Sequence, residues 1–166
     1  VLDGGQAHVH VVEPSDNQLA VNSWARERVQ GLHLSAGDGD RHKDPVIAIL
    51  GSTRDAALHP ATISADTYAK WATMSHPALT PDWSEPAPKL IEAADTIAGI
   101  YHRTADHQYP DSNLAGAAQV VFCDRGVPSA DGTPSVYSLL TDLLAERGVQ
   151  RQHIAWVHQW PDPNSR

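Results

Sequence analysis

Gln119-Val120-Val121-Phe122-Cys123, followed by a helical stripe and then by Ile154-Ala155-Trp156-Val157-His158, is the stretch on which the fold is decided. Two short apolar runs rich in β-branched and aromatic residues read as buried strands. Between them Val136, Leu139, Leu140, Leu143 and Leu144 recur at helical spacing. Thr133 is the type of residue that caps a helix, Pro134 suits its first position and Gly148 suits its end. Gly126, Pro128 and Gly132 mark the turn after the first run. Strand, helix and strand over about forty residues make a βαβ unit, whose strands should be parallel and joined by a right-handed crossover. The expected fold class is therefore α/β.

Working outward, Leu90, Ala94, Ile97, Ala98 and Tyr101 behind Pro88 predict a helix. Near the start, His8-Val9-His10-Val11-Val12 alternates as a strand does and stops at Pro14. Ser15 and Gln18 have the form of a capping box. Ala20, Val21, Trp24, Ala25, Val29 and Leu32, interrupted by Arg28, then predict a helix over residues 16–30. Val46-Ile47-Ala48-Ile49-Leu50, between Pro45 and Gly51, reads most simply as a buried strand, with a short buried helix as the alternative. Residues 64–75 are expected to form a helix carrying Tyr68, Trp71 and Met74. Two linker-like stretches, residues 35–40 and the proline-rich 76–88, divide the chain into parts 1–34, 35–88 and 89–166.

Twelve basic against twenty acidic residues give a net charge of −8, which repels phosphate on average and argues against an autonomous, tight DNA-binding domain. No run approaches the length of a membrane-spanning helix. Val1-Leu2-Asp3-Gly4-Gly5 lacks the pattern of a secretory signal, and the single Cys123 forms no internal disulfide; both suit a cytoplasmic protein. The phosphate-binding loop of ATPases is absent, as are a dinucleotide fingerprint and a Gly-x-Ser-x-Gly elbow. Cys123-Asp124 offers one carboxylate where Mg²⁺ sites of motors need more. No catalytic residue and no bound cofactor are expected of this chain.

The remaining candidates are weaker. His8 and His10 would share one face of a strand, the arrangement of two metal ligands, with His102, His107 and Asp124 as scattered supplements. A small metal-dependent hydrolase is the reading they would support; surface histidines are the plainer one. Cys123 reads as a small packed apolar residue and Trp156 as core, while Trp160 could stack on a base. Arg54 and Arg125 follow apolar runs, where side chains can reach a ligand, although solvated arginines would look the same.

A family resemblance adds to this. Gln119 through Pro128, Ser135-Val136-Tyr137, Leu144 through Val149 and Ile154 through His158 resemble one block of very large bacterial and phage superfamily 2 helicases. These are DEAD/DEAH-type proteins related to the Swi/Snf motors, and some carry an adenine-specific DNA methylase label. Glu13-Pro14-Ser15, Gln18-Leu19-Ala20 and Arg26-Glu27-Arg28 resemble their segment leaving the first motor lobe. Gly51-Ser52-Thr53-Arg54 with Ala56-Ala57-Leu58, then residues 89–100 and Tyr109-Pro110, resemble the family's inter-lobe stretch and the helix and turn before its second lobe. The resemblance implies that residues 1–34 leave the first lobe, 35–88 lie between lobes and 89–166 begin a RecA-like second lobe. ATP and Mg²⁺ would belong to the parent protein, DNA and the rest of the helicase chain would be the partners, and no membrane is implied. The turn after Cys123 would face nucleic acid, with Asp124, Arg125 and Ser135 as contacts. Three departures stand out. Asp55 occupies a place where a lysine is usual, and Arg125 and Val127-Pro128 replace a Leu and a Thr-Pro. Beyond His158, Gln159 through Arg166 turns away from the acidic helix expected there. The rival to an ATP-dependent helicase segment is a non-catalytic α/β protein-interaction module.

Overall fold

Ser15 and Gln18 form the capping box that their spacing implies. In the computed structural model the Ser15 amide donates to Gln18 Oε1 (2.9 Å), and the Gln18 amide donates to Ser15 Oγ (3.3 Å). The structure describes residues 2–3, 6–35, 45–71, 82–110, 113, 115–128 and 132–159. Met74 and Trp160 lie outside them. Behind the box runs α1 (Asp16–Ser35), five residues longer than its apolar periodicity predicts. Gln18 is itself buried and uses its other end too. Its Nε2 donates to the carbonyls of Ala56 and Ala57 (3.0 and 3.2 Å), satisfying orphan acceptors at the end of α2 (Pro45–Ala56).

The strand reading of residues 46–50 is overturned by α2; the helix alternative holds. Pro45 fits the first position of a helix, and the run has no neighbouring strand to pair with among the described residues. Only Ile49 is buried, against Trp24 and Ala25 of α1, whereas Ile47 and Leu50 stay in solvent. A short 3-10 turn at Pro60–Thr62 leads to α3 (Ala65–Trp71). Val21, Ala56, Ile63 and Tyr68 form a second small core there.

The α/β expectation is contradicted. Five α-helices dominate the described residues, and the only sheet among them is a two-residue antiparallel pair, β1 (Leu2–Asp3) with β2 (Gln6–Ala7). Residues 8–11 are exposed, and the expected strand over 8–12 does not form. The helices beside the two expected core strands do form: α4 (Pro88–Arg103) and α5 (Val136–Glu146) cross on Ala94, Ala98, Leu140 and Leu144, with Val149 behind them. Residues 119–123 and 154–156 lie outside any helix or strand, and they do not pair with each other. They lie against the helices through side chains instead. Ile154 and Trp156 pack on the α4–α5 core, and Cys123 packs beside Leu90 and Val136. Past Trp156 the chain tightens into a 3-10 turn at Val157–Gln159. A parallel sheet is stable when several strands are covered on both faces; two segments covered on one face by one helix pair do not meet that condition. The partial RecA-like lobe is therefore not the architecture of this chain.

The cap of α5 also moves. Ser135, not Thr133, is the N-cap: its Oγ accepts from the Ser138 amide (3.1 Å), and Ser138 Oγ accepts from the Ser135 amide (2.8 Å). Gly148 does end the helix, at φ +82°. No described helix is long and apolar enough to cross a membrane.

If the α4–α5 crossing is the principal core, Leu140→Ala should remove about 3 kcal/mol of unfolding free energy and Ser135→Ala about 1 kcal/mol. Urea unfolding followed by circular dichroism measures both; an unchanged midpoint for Leu140→Ala would contradict this account of the core.

Candidate functional site

The turn after Cys123 is built by contacts from three sides. Gly126 sits at φ +70°, and a side chain there would run into Val136 at the start of α5. Cys123 Sγ donates to the Arg125 carbonyl (3.2 Å), and the Tyr137 hydroxyl donates to the Cys123 carbonyl (2.6 Å). Burial raises the Tyr137 phenol, with Cys123 and Asp124 adding to the effect, so the group stays protonated and able to donate. The third side is electrostatic. Arg125 Nη1 bonds Asp55 Oδ1 at 3.0 Å, and Arg54 Nη2 reaches Asp124 Oδ2 at 3.4 Å. Arg54-Asp55 at the end of α2 and Asp124-Arg125 on the turn thus pair crosswise.

The two pairs differ in weight. Arg54 and Asp124 are 65% and 78% exposed, so water screens them. Arg125 and Asp55 are 33% and 29% exposed, which makes theirs the stronger attachment. Asp124, Arg125 and Ser135 are therefore brought close, but each is already engaged. Asp124 faces Arg54, Arg125 holds Asp55, and Ser135 is buried in its own cap. The four charges sum to zero. A phosphate reaching Arg125 meets the Asp55 carboxylate beside it.

Among the described residues, His8 and His10 meet no set of side chains that would complete a metal site. Both are exposed, and His10 Nδ1 contacts Glu92 Oε1 (2.7 Å). His102 instead bonds the Arg147 carbonyl (2.7 Å), and His107 packs edge-on against Tyr109. Among the described residues no three His, Cys, Asp or Glu side chains could hold a metal ion. The open cleft between α1 and α2, lined by Leu19, Val29, Ile49 and Leu50, carries one charged side chain, Arg26.

One histidine that the sequence did not single out has a defined role. His59 is fully buried and stacks on Trp83, ring centroids 4.8 Å apart. Its Nδ1 accepts from the Ala61 amide (3.0 Å), so the ring is neutral with its proton on Nε2, which donates to the Glu85 carbonyl (3.2 Å). Burial lowers its pKa below the usual 6.5, against the opposing pull of Glu85 and Asp82. Tyr68 donates to the Pro60 carbonyl (2.8 Å), and burial pushes its phenol up to about 12. Both ring nitrogens of His59 are taken by main chain, so the group fastens residues 82–87 to the turn at Pro60–Thr62 and has no free nitrogen for general-base chemistry. A histidine directly before a proline-led 3-10 turn was the available sequence signal.

No family model, no curated protein and no solved structure matches this chain.

This geometry has two measurable consequences. Gly126→Ala should cost about 2 kcal/mol or more, because a positive φ and the contact with Val136 act together; chemical denaturation reads the loss, and a neutral effect would mean that the turn is free to move. The contribution of His59 has a definite sign. Its folded pKa is below its unfolded value, so its stability is complete above pH 6.5 and declines as the pH falls through that value. The difference in unfolding free energy between the native chain and His59→Gln should therefore shrink between about pH 7.5 and about pH 5. A difference independent of pH would contradict a neutral, buried ring.

Proposed function

We propose that this chain is a non-catalytic coupling segment of a large ATP-driven nucleic-acid motor of the helicase family that its sequence blocks resemble. One observation carries the reading. Asp55 and Arg125, one departure from the family pattern in the Gly51–Leu58 block and one in the turn, are bonded to each other at 3.0 Å. Two unrelated departures would have no reason to meet across seventy residues. A compensating pair would, if the two blocks work as one unit in a parent whose lobes move against each other. On this reading Arg54 and Arg125 stiffen the connection between the helical N-terminal part and the turn after Cys123. They are not primarily ligands of a phosphate backbone. The helical architecture fits a connecting element better than half of a nucleotide site.

A second reading, a protein-interaction module without a motor, is favoured by a different observation: Val120 and Phe122 present apolar side chains to solvent. It differs from the first in the gene. For the motor reading, the reading frame around this sequence should encode a phosphate-binding loop upstream and an arginine finger downstream; a free-standing gene without either would overturn it.

The purified chain is expected to hydrolyse no ATP with or without DNA, since phosphoryl transfer depends on the phosphate cradle and Mg²⁺ carboxylates that the sequence lacks. DNA binding should be weak and fade with salt, because a net charge of −8 leaves few cations to release counterions. Fluorescence anisotropy with labelled single-stranded and duplex oligonucleotides at two salt concentrations tests this, and tight binding at physiological salt would contradict it.

A further inference from the structure

His59 keeps its place only while its ring is neutral. It caps the turn at Pro60–Thr62, where its Nδ1 accepts from the Ala61 amide at 3.0 Å, and its Nε2 is engaged by the Glu85 carbonyl. A charged imidazole carries a proton on both nitrogens. Protonation at Nδ1 therefore sets one donor against another, in a place closed to water, since His59 has no exposed surface. The stack on Trp83, with ring planes 19° apart, is no obstacle, because an aromatic face accepts a cation. The contact that fails is the one with Ala61. Beside the ring stands an acceptor with nothing to accept: Glu85 Oε2 is buried and receives no hydrogen bond among the described residues, which calls for an explanation. The neighbouring acids are otherwise occupied. Asp82 is exposed and its carboxylate takes the Ser84 amide (2.8 Å), and Asp55 at the end of α2 is bonded to Arg125. Tyr68 reaches the turn from α3 as a donor to the Pro60 carbonyl. Of these groups, Glu85 alone combines a negative charge near the ring with a buried oxygen that has no donor.

We propose that His59 is a two-position proton switch: on protonation its ring leaves the Ala61 amide for the Glu85 carboxylate, which uncaps the turn at Pro60–Thr62 and loosens its attachment to residues 82–87. The proton is taken up from solvent at Nδ1, and no other bond to hydrogen changes hands. Burial holds the ring neutral at pH 7, so the switch rests in the capped position and moves only as the pH falls below 6.5. Its place in the fold gives the movement a consequence. Ile63, directly after the turn, belongs to the small core of Val21, Ala56 and Tyr68, while residues 82–87 lead into α4. The switch thus sits where the N-terminal helices are fastened to the chain entering the α4–α5 pair, and local opening there needs no global unfolding. It stands or falls independently of the motor reading.

Residue-resolved amide hydrogen exchange on the full chain, at about pH 7.5 and about pH 5, tests the switch. After correction for the intrinsic pH dependence of exchange, protection of the Ala61 amide should fall about tenfold at the lower pH, while Leu140 and Leu144 in α5 keep theirs. Glu85→Gln removes the charge that receives the ring and should move the release of Ala61 to lower pH. His59→Asn keeps a capping oxygen for the Ala61 amide and cannot become charged, so its Ala61 protection should not depend on pH. Should that variant lose its helical circular dichroism, the comparison of the native chain with Glu85→Gln decides. Equal protection of Ala61 at both pH values in the native chain would overturn the proposal. So would a loss shared equally by Leu140 and Leu144, or a release that Glu85→Gln leaves unmoved.

Discussion

The crossing of α4 and α5 is the constraint on which the C-terminal half of this molecule depends. Ala94 and Ala98 bring the helices close, and Leu140, Leu144 and Val149 fill the angle between them. At the far end the seam is tied by polar contacts: His102 meets the Arg147 carbonyl, and Arg147 Nε bonds Asp95 at 2.6 Å. Once this seam exists, the segments before and after α5 have an apolar surface to lie on without needing each other. Tyr137 engages both of them, holding the Cys123 carbonyl with its hydroxyl and meeting Trp156 edge-on at 4.7 Å. The helix pair therefore takes the place that a sheet would have filled.

The same constraint explains how much of the fold is legible in the residues. Local signals read correctly. The Ser15–Gln18 box opens α1, Pro88 opens α4, Gly148 closes α5, and the apolar stripes of α4 and α5 are the buried ones. These depend on nearest neighbours along one helix. The sheet is misread because strand pairing depends on what lies beside the strand. Gln119-Val120-Val121-Phe122-Cys123 is a good strand sequence, but a strand needs a partner that sequence patterning within the segment does not specify. Residues 46–50 mislead for a related reason: a five-residue apolar run has no period that separates strand from helix. The cap of α5 moves from Thr133 to Ser135 because Ser138 lies three residues after Ser135 and completes its box.

The site is legible in part. Asp124 and Arg125 share one turn and face Arg54 and Asp55, whereas Ser135 serves as the cap of α5. Their partners are hidden, because an ion pair between residues seventy positions apart leaves no local trace. Arg125 alone looks like a ligand-binding arginine; beside Asp55 it is a fastening. His59 is hidden for the same reason, since its burial comes from Trp83 and the segment 82–87, which lie far along the chain. Proximity of two separated blocks is what turns a set of unremarkable surface charges into ion pairs between the α2 end and the turn after Cys123.

The proposed coupling role requires that Asp55 and Arg125 act together, and a charge-exchange cycle tests this most directly. Asp55→Arg and Arg125→Asp are made singly and combined, and the unfolding free energy of each is taken from urea denaturation at low and high salt. Each single reversal should destabilise the chain, and the double exchange should recover a coupling of about 0.5–1 kcal/mol, smaller at high salt, as befits a partly exposed pair. Strictly additive effects at both salt concentrations would show that the two residues are neighbours without being coupled, and the account would then lose its central connection.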